Sequence, residues 1–279
     1  MSGHGQFRPA PEVAAYYAAF AEEARLTTGP SRLEFERTKD ILRRQLPPPP
    51  ARVVDVGGAA GAYSLWLAEL GYEVHLVDAA PRLVDEARRR NDACPKRIAS
   101  LTVGDARALP QPDESADAVL VMGPLYHLTE AADRLVALRE AHRVLAAGGV
   151  VAAAAISRYA SALDGLAGRR TQDPRFVEIR NRDLVDGQHR NDTERLDYFT
   201  TAYFHRPEDL RAELEAAGFT GVSVRGVEGP AWAVPDFDAQ WDDPALRREL
   251  LDLAYRLEVE PSIVGASAHL VGLGVRARG

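Results

Sequence analysis

Cysteine is almost absent: Cys94 is the single one in 279 residues. An intramolecular disulfide is therefore excluded, and a lone thiol in a connecting segment suits a reducing compartment. Long apolar runs are missing too. No run, Val150 to Ile156 included, is long enough to cross a bilayer. The first residues, from Met1 to Pro9, lack the apolar stretch of a secretory signal, so a cytoplasmic address is expected. Basic charge is in deficit, with 34 Lys and Arg against 41 Asp and Glu and a net charge of −7. No global field then draws the chain to nucleic acid, and neither nucleic acid nor membrane is expected as a partner. No spaced cluster of acidic ligands appears, so no metal is expected. Beyond the four prolines Pro47 to Pro50 there is no low-complexity segment and no internal repeat.

What is present is an ordinary globular composition, 46% apolar and 27% charged, long enough to bury a sizeable core. The chain is organised around residues 51–65. Val53, Val54 and Val56 read as a short buried strand after the proline break. Small residues fill positions 57 to 62, and then Ala62, Leu65, Trp66 and Leu70 share one helical face that Gly71 ends. A strand, a small-residue turn and a helix N-terminus let a ligand approach the backbone closely, and favour negative charge there. The small residues alternate as Gly57, Ala59 and Gly61 behind Asp55, which is not the G-x-G-x-x-G spacing of a dinucleotide site. Ala59 is tolerable in this series if its φ stays negative.

A second strand, Glu73 to Asp78, ends in an acid about 20 residues past the turn, where a carboxylate can accept from both hydroxyls of a ribose. A third strand runs from Leu101 to Asp105 and a fourth from Ala118 to Gly123. The segment Arg139 to Gly149 leads into a fifth strand at Val150. In order and spacing, residues 51 to 156 resemble the class I S-adenosylmethionine-dependent methyltransferases of small-molecule type. The turn matches their D/E-x-G-x-G-x-G motif, departing from it at Ala59. The resemblance implies an α/β fold, a doubly wound, Rossmann-like, seven-stranded sheet with the last strand antiparallel. It implies S-adenosylmethionine as cofactor, on Gly57, Ala59, Gly61, Asp78, Ala79, Met122 and Gly123. Asp105 would accept from the adenine amino group, and the N–H of Ala106 would meet the ring.

Ahead of the core, Val13, Tyr16, Tyr17 and Phe20 have amphipathic helical spacing, and Ser31 to Glu34 has the form of a capping box that opens a second helix. The pair resembles the family's N-terminal lid, in which Tyr17 (and Tyr16) would close over the methionine end and Arg37 would meet its carboxylate. Residues 1–10 read as disordered. From Ser157 to Arg206 charged residues crowd in, more chain than a crossover needs. The expected organisation is a lid and linker at 1–50, the cofactor-binding half at 51–156, a substrate cap at 157–206 between the fifth and sixth strands, and the last two strands within 207–279. Within the cap, Tyr198 to His205 reads as one strand. The last helix opens at Pro244 with Leu246, Leu250, Leu253 and Leu257 in line.

The cofactor carries the difficult chemistry of methyl transfer, and a general base is needed only if the acceptor must lose a proton. His127, just past the fourth strand, and His205, at the end of the cap's aromatic run, are the candidate catalytic residues. His189 reads as solvated, and His142 and His269 as structural. After the fourth strand, Met122 to His127 lacks the Asn/Asp-Pro-Pro-Tyr/Phe loop of exocyclic-amine DNA methyltransferases. The expected acceptor is therefore a small, partly hydrophobic molecule with an oxygen or nitrogen nucleophile, such as a secondary metabolite. A peptide or protein carboxylate is the alternative. Of other classes, a non-catalytic cofactor-binding protein and an NAD-type oxidoreductase stay open.

Overall fold

The computed structural model describes residues 11–19, 25–168 and 170–278. The disorder expected at 1–10, Phe20 of the first helix and Arg169 lie outside these. Five strands follow one another in the order expected: β1 (Arg52–Val56), β2 (Glu73–Asp78), β3 (Ser100–Val103), β4 (Ala116–Val121) and β5 (Leu145–Ser157). Two more follow the inserted segment, β8 (Phe219–Gly226) and β9 (His269–Arg276). That segment itself contributes β6 (Gln188–His189) and β7 (Ala202–His205). The main sheet runs β3-β2-β1-β4-β5-β9-β8. Its first five strands are parallel, and β9 is antiparallel between β5 and β8. This is the doubly wound sheet expected from the sequence, with β7 added to the end of β5 through Ile156 and Ser157.

Both faces of the sheet are covered, which is why its strands read as continuous apolar runs. Val54, Val56, Val119 and Val121 pack on one side with α5 (Pro124–His127), α6 (Ala131–Val144) and α9 (Pro207–Ala216). Val53, Ala118 and Leu120 pack on the other with α2 (Ser31–Gln45), α3 (Ala62–Leu70) and α4 (Pro81–Asp92). α2 is thus core: Leu33, Ile41 and Leu42 are fully buried. Ahead of it stands α1 (Pro11–Ala19), and the inserted segment supplies α7 (Ala160–Ala167) and α8 (Pro174–Asp186). α10 (Phe237–Asp242) and α11 (Pro244–Leu257) complete the helices described.

Three local expectations are corrected. The capping box is not formed: Pro30 is the N-cap of α2, and Glu34 is drawn to Arg25 instead, at 2.6 and 3.0 Å. Tyr198 to His205 is not one strand, because a short 3-10 turn and Phe199 at φ +66° break it before β7. On α11 the buried side chains are Leu250 and Ala254, while Leu246 and Leu253 are exposed. The helix lies at the surface, and only a narrow stripe of it is covered.

Candidate active site

In an open α/β sheet, ligands bind outside the carboxyl ends of the strands where the strand order reverses, here between β1 and β4. A cavity of about 450 Å³ lies there. The turn after β1 forms its floor. Gly57 has φ +77°, its N–H donates to Val77 O at 2.7 Å, and an added Cβ would stand 2.5 Å from Pro124 Cδ. Ala59 also lies in the left-handed region, at φ +48°, so the negative φ that would make its methyl tolerable is not met. Its N–H is held by Asp78 Oδ2 at 2.8 Å, and Asp78 Oδ1 accepts from Ala80 N at 2.8 Å. The acid ending β2 thus shapes the turn that it faces.

Under the turn, Asp55 is fully buried. It accepts from Ser64 Oγ at 2.6 Å on Oδ2, while Oδ1 has no partner. Burial, with the Asp78 charge adding to it, pushes its carboxyl up to about 6.

Of the residues expected to hold a cofactor, Tyr17, Gly57, Ala59, Asp78, Ala79, Asp105, Ala106, Met122 and Gly123 all line this cavity. Gly61 does not. It is the N-cap of α3 and turns toward Ala87 and Ile98. Arg37 does not either. It is buried beside Glu258, 2.5 Å from Nη2, with Asp40 on Nη1 and Val227 O 3.3 Å from Nε. It knits α2 to the end of α11. Asp105 is on the wall but bonded to Arg107 by 2.9 and 3.0 Å side-chain contacts and by the Arg107 N–H at 2.8 Å. Oδ1 accepts two of these bonds and Oδ2 one, so room for one further donor remains on Oδ2. Sequence reasoning missed Arg25, Tyr63, Arg82 and Arg90 on this wall. Arg90 Nη1 donates to Ala60 O at 2.8 Å. Burial, with Glu34 nearby, raises the Tyr63 phenol.

A second chamber of about 280 Å³ adjoins the first, and Tyr17, Arg25 and Tyr126 stand in the walls of both. Its lining comes mainly from the inserted segment and from α1: Tyr16, Phe176, Tyr198, Phe199 and Phe204, with Trp232 and His269 from later in the chain. At the junction His127 Nε2 lies 2.8 Å from the Tyr17 hydroxyl. Its Nδ1 is buried toward the Thr201 backbone without a hydrogen bond of ordinary geometry. Burial outweighs that backbone contact and pushes the imidazole down to about 4. With the proton on Nδ1, Nε2 accepts from Tyr17. The backbone carbonyl of Tyr17 is gripped by Arg82 at 2.7 and 3.1 Å, tying α1 to α4.

The structure takes His205 out of the site. It is fully buried in β7 with Nε2 3.3 Å from Glu213, it lines neither chamber, and burial lowers its pKa. His189 is not solvated. It is buried on Asp183, at 3.0 and 3.1 Å, donates from Nε2 to Tyr198 O at 2.8 Å and stacks on Phe204. Glu34, Glu228 and His269 come within 4.8 Å of one another, a grouping not foreseen when no metal was expected. A metal ion there would have to displace the proton of the imidazole.

A strand, a tight turn and a helix over a strand-end acid thus stand at the switch point of this sheet, where a nucleotide-like ligand can be held. Residues 54–153 match the family model described as methyltransferase domain. Among particular relatives, an uncharacterized methyltransferase of Mycobacterium tuberculosis is 38% identical over 104 residues, 37% of this chain and 39% of its own. A malonyl-[acyl-carrier protein] O-methyltransferase of Methylococcus capsulatus is 33% identical over 152 residues, 53% of this chain and 54% of its own. The chain thus matches at most about half the length of these curated relatives. A solved SAM-dependent methyltransferase from Thermotoga maritima shares the fold, with a TM-score of 0.58 at 19% identity over 94% of this chain and 97% of that one. No helix among the described residues is long and apolar enough to cross a membrane.

Proposed function

We propose that the chain transfers the methyl group of S-adenosylmethionine to an oxygen or nitrogen of a small, partly hydrophobic molecule. The observation that carries this reading is the pair of adjoining chambers with Tyr17, Arg25 and Tyr126 in both walls. The first has the volume of an ordinary small-molecule site, roughly 300–1,000 Å³. It combines a turn with no side chain at Gly57, a fixed carboxylate at Asp78 and a wall at Ala79, Asp105 and Ala106 for a nucleoside. Arg25, rather than Arg37, is the arginine placed for the methionine carboxylate. Bound there, S-adenosylmethionine supplies the electrophilic methyl and a sulfide leaving group. The protein aligns the partners across the junction and excludes water from it. In this reading α1 is the lid and the inserted segment is the cap that supplies the acceptor chamber.

His127 acts as a positioning residue, holding the Tyr17 hydroxyl at the junction. A base pushed down to about 4 is poorly matched to proton removal near neutrality. An acceptor proton then leaves to bulk water from the methylated product once the chamber opens, or the nucleophile arrives already deprotonated. The test is calorimetric titration of the full chain with S-adenosylmethionine, followed by a panel of small acceptors with labelled cofactor. Saturable cofactor binding and a gain of one methyl mass on an acceptor are expected. A chain that binds no cofactor would end the reading.

A further inference from the structure

The second chamber carries a hydrogen-bond donor that methyl transfer itself does not use. His269 opens β9 and lines this chamber with 28% of its side chain exposed. Its Nδ1 lies 2.6 Å from Glu228 Oε1, and its backbone N–H donates to Glu228 Oε2 at 3.0 Å. Two bonds to one carboxylate fix the ring. Ser267 Oγ donates to the same Oε2 at 2.6 Å, and Glu34 stands 3.8 Å from Nδ1, itself clasped by Arg25. Nε2 has no hydrogen-bond partner among the described residues and is not sealed from the chamber.

Burial opposes charge on this ring, but Glu34 and Glu228 outweigh it and push the imidazole up to about 9. Near neutrality Nε2 therefore bears a proton, and it serves as a donor, not a base. The placement of the charges matters as much as their sum. Arg25 and His269 face the chamber, while Glu34 and Glu228, which balance them, stand behind and line none of it. The two acids that do line it, Asp164 and Asp197, are paired with Arg170 and Arg195. Much of the remaining wall is aromatic.

The geometry points to an acceptor that carries a carboxylate, held in the second chamber by the Nε2–H of His269. The inference rests on the methyl-transfer reading of the two chambers. A charge-assisted N–H···O⁻ bond is about twice as strong as a neutral one, and the aromatic wall suits the apolar body of such a molecule. A protonated amine in the same place would meet the imidazolium and guanidinium faces.

The experiment is calorimetry on the full chain saturated with S-adenosylhomocysteine, using 3-phenylpropanoate, 3-phenylpropanamide and 3-phenylpropylamine as probes at pH 7. The acid should bind at least about ten-fold tighter than the amide, the worth of one charge-assisted bond, and the amine most weakly. His269→Gln should erase the preference and leave the S-adenosylhomocysteine affinity intact. In the parent, ¹⁵N spectra of labelled histidine should show the His269 Nε2 signal moving with the acid and not with the amide, a readout that needs no variant. Raising the pH above about 9 should abolish the preference as the ring loses its proton. Equal affinity for acid and amide, no binding of either, or an undiminished preference in the variant would overturn the inference. So would zinc chloride displacing the bound acid from this ring. If S-adenosylhomocysteine binds and the acid is not preferred, only this inference falls; if it does not bind, the methyl-transfer reading falls as well.

Discussion

Ala59 occupies the middle of the turn in a conformation that suits glycine, at φ +48°. A left-handed backbone costs an L-residue roughly 1–2 kcal/mol, and glycine returns about 0.4–1 of that through the freer unfolded chain. Ala59→Gly is therefore expected to raise stability by about 0.5–1 kcal/mol, read as a higher urea midpoint at unchanged slope. A fall would mean that the methyl packs usefully. Asp78 serves the same turn from the other side. Asp78→Ala should weaken S-adenosylhomocysteine binding by on the order of 1–3 kcal/mol and also loosen the turn, since the Ala59 N–H loses its partner. Unchanged affinity in a folded variant would remove Asp78 from the cofactor's contacts. For His127, loss of one neutral hydrogen bond to Tyr17 should cost His127→Ala about 3- to 10-fold in turnover. Imidazole charges below its pKa, so the parent should lose activity only as the pH falls toward 4, not toward 6.5. A loss of about 10²–10⁴-fold with an acid limb near 6.5 would instead make His127 the base.

At the scale of elements, the two N-terminal helices part company. α1 touches the site through Tyr16 and Tyr17 and is held by Arg82, whereas α2 carries fully buried Leu33, Ile41 and Leu42. Removing residues 1–19 should leave a cooperative fold with weaker cofactor retention, while removing 1–46 should abolish the cooperative transition. Circular-dichroism melts of the two truncations decide this. The contrast shows what could be read from sequence. The β1 turn was legible because residues 55–61 are contiguous and their conformation is local. The succession of strands was legible from their short apolar runs, whereas their arrangement in the sheet followed from the family resemblance. Arg37 was misplaced because its partner Glu258 lies 221 positions away. Glu34 was read as a capping residue because nothing local announces Arg25 or His269. His189 looked solvated in a run of polar residues, and only the fold brings Asp183 and Phe204 against it. Residue identity marks which groups can form ion pairs; pairing itself is decided by topology.

For the whole molecule, two groups, Asp55 and His269, tilt stability the same way with pH. Asp55 has a folded pKa above its unfolded value, so the native state binds the extra proton and stability falls as the pH rises from about 4 to 6. The raised pKa of His269 gives a contribution that is full below 6.5 and lost as the pH rises through about 9. Melting temperature should therefore decline from pH 6 to pH 9, less steeply in His269→Gln. Asp55→Asn should flatten the pH 4–6 interval and raise the melting temperature at pH 7. Profiles of the two variants that run parallel to the parent's would show that neither group is shifted. The place of β9 has a consequence of another kind, one of time. β5 is complete at Ser157, but along Val150 to Ile156 its neighbour on one side is residues 269–275. A ribosome adding ~5–20 residues per second leaves that apolar edge open for on the order of ten seconds, long enough for a neighbouring nascent chain to pair with it. Soluble yield should accordingly rise when translation is sparse and the cell is cooled, and crowding of polysomes, more than any weakness of the finished fold, should set how much of this protein is recovered.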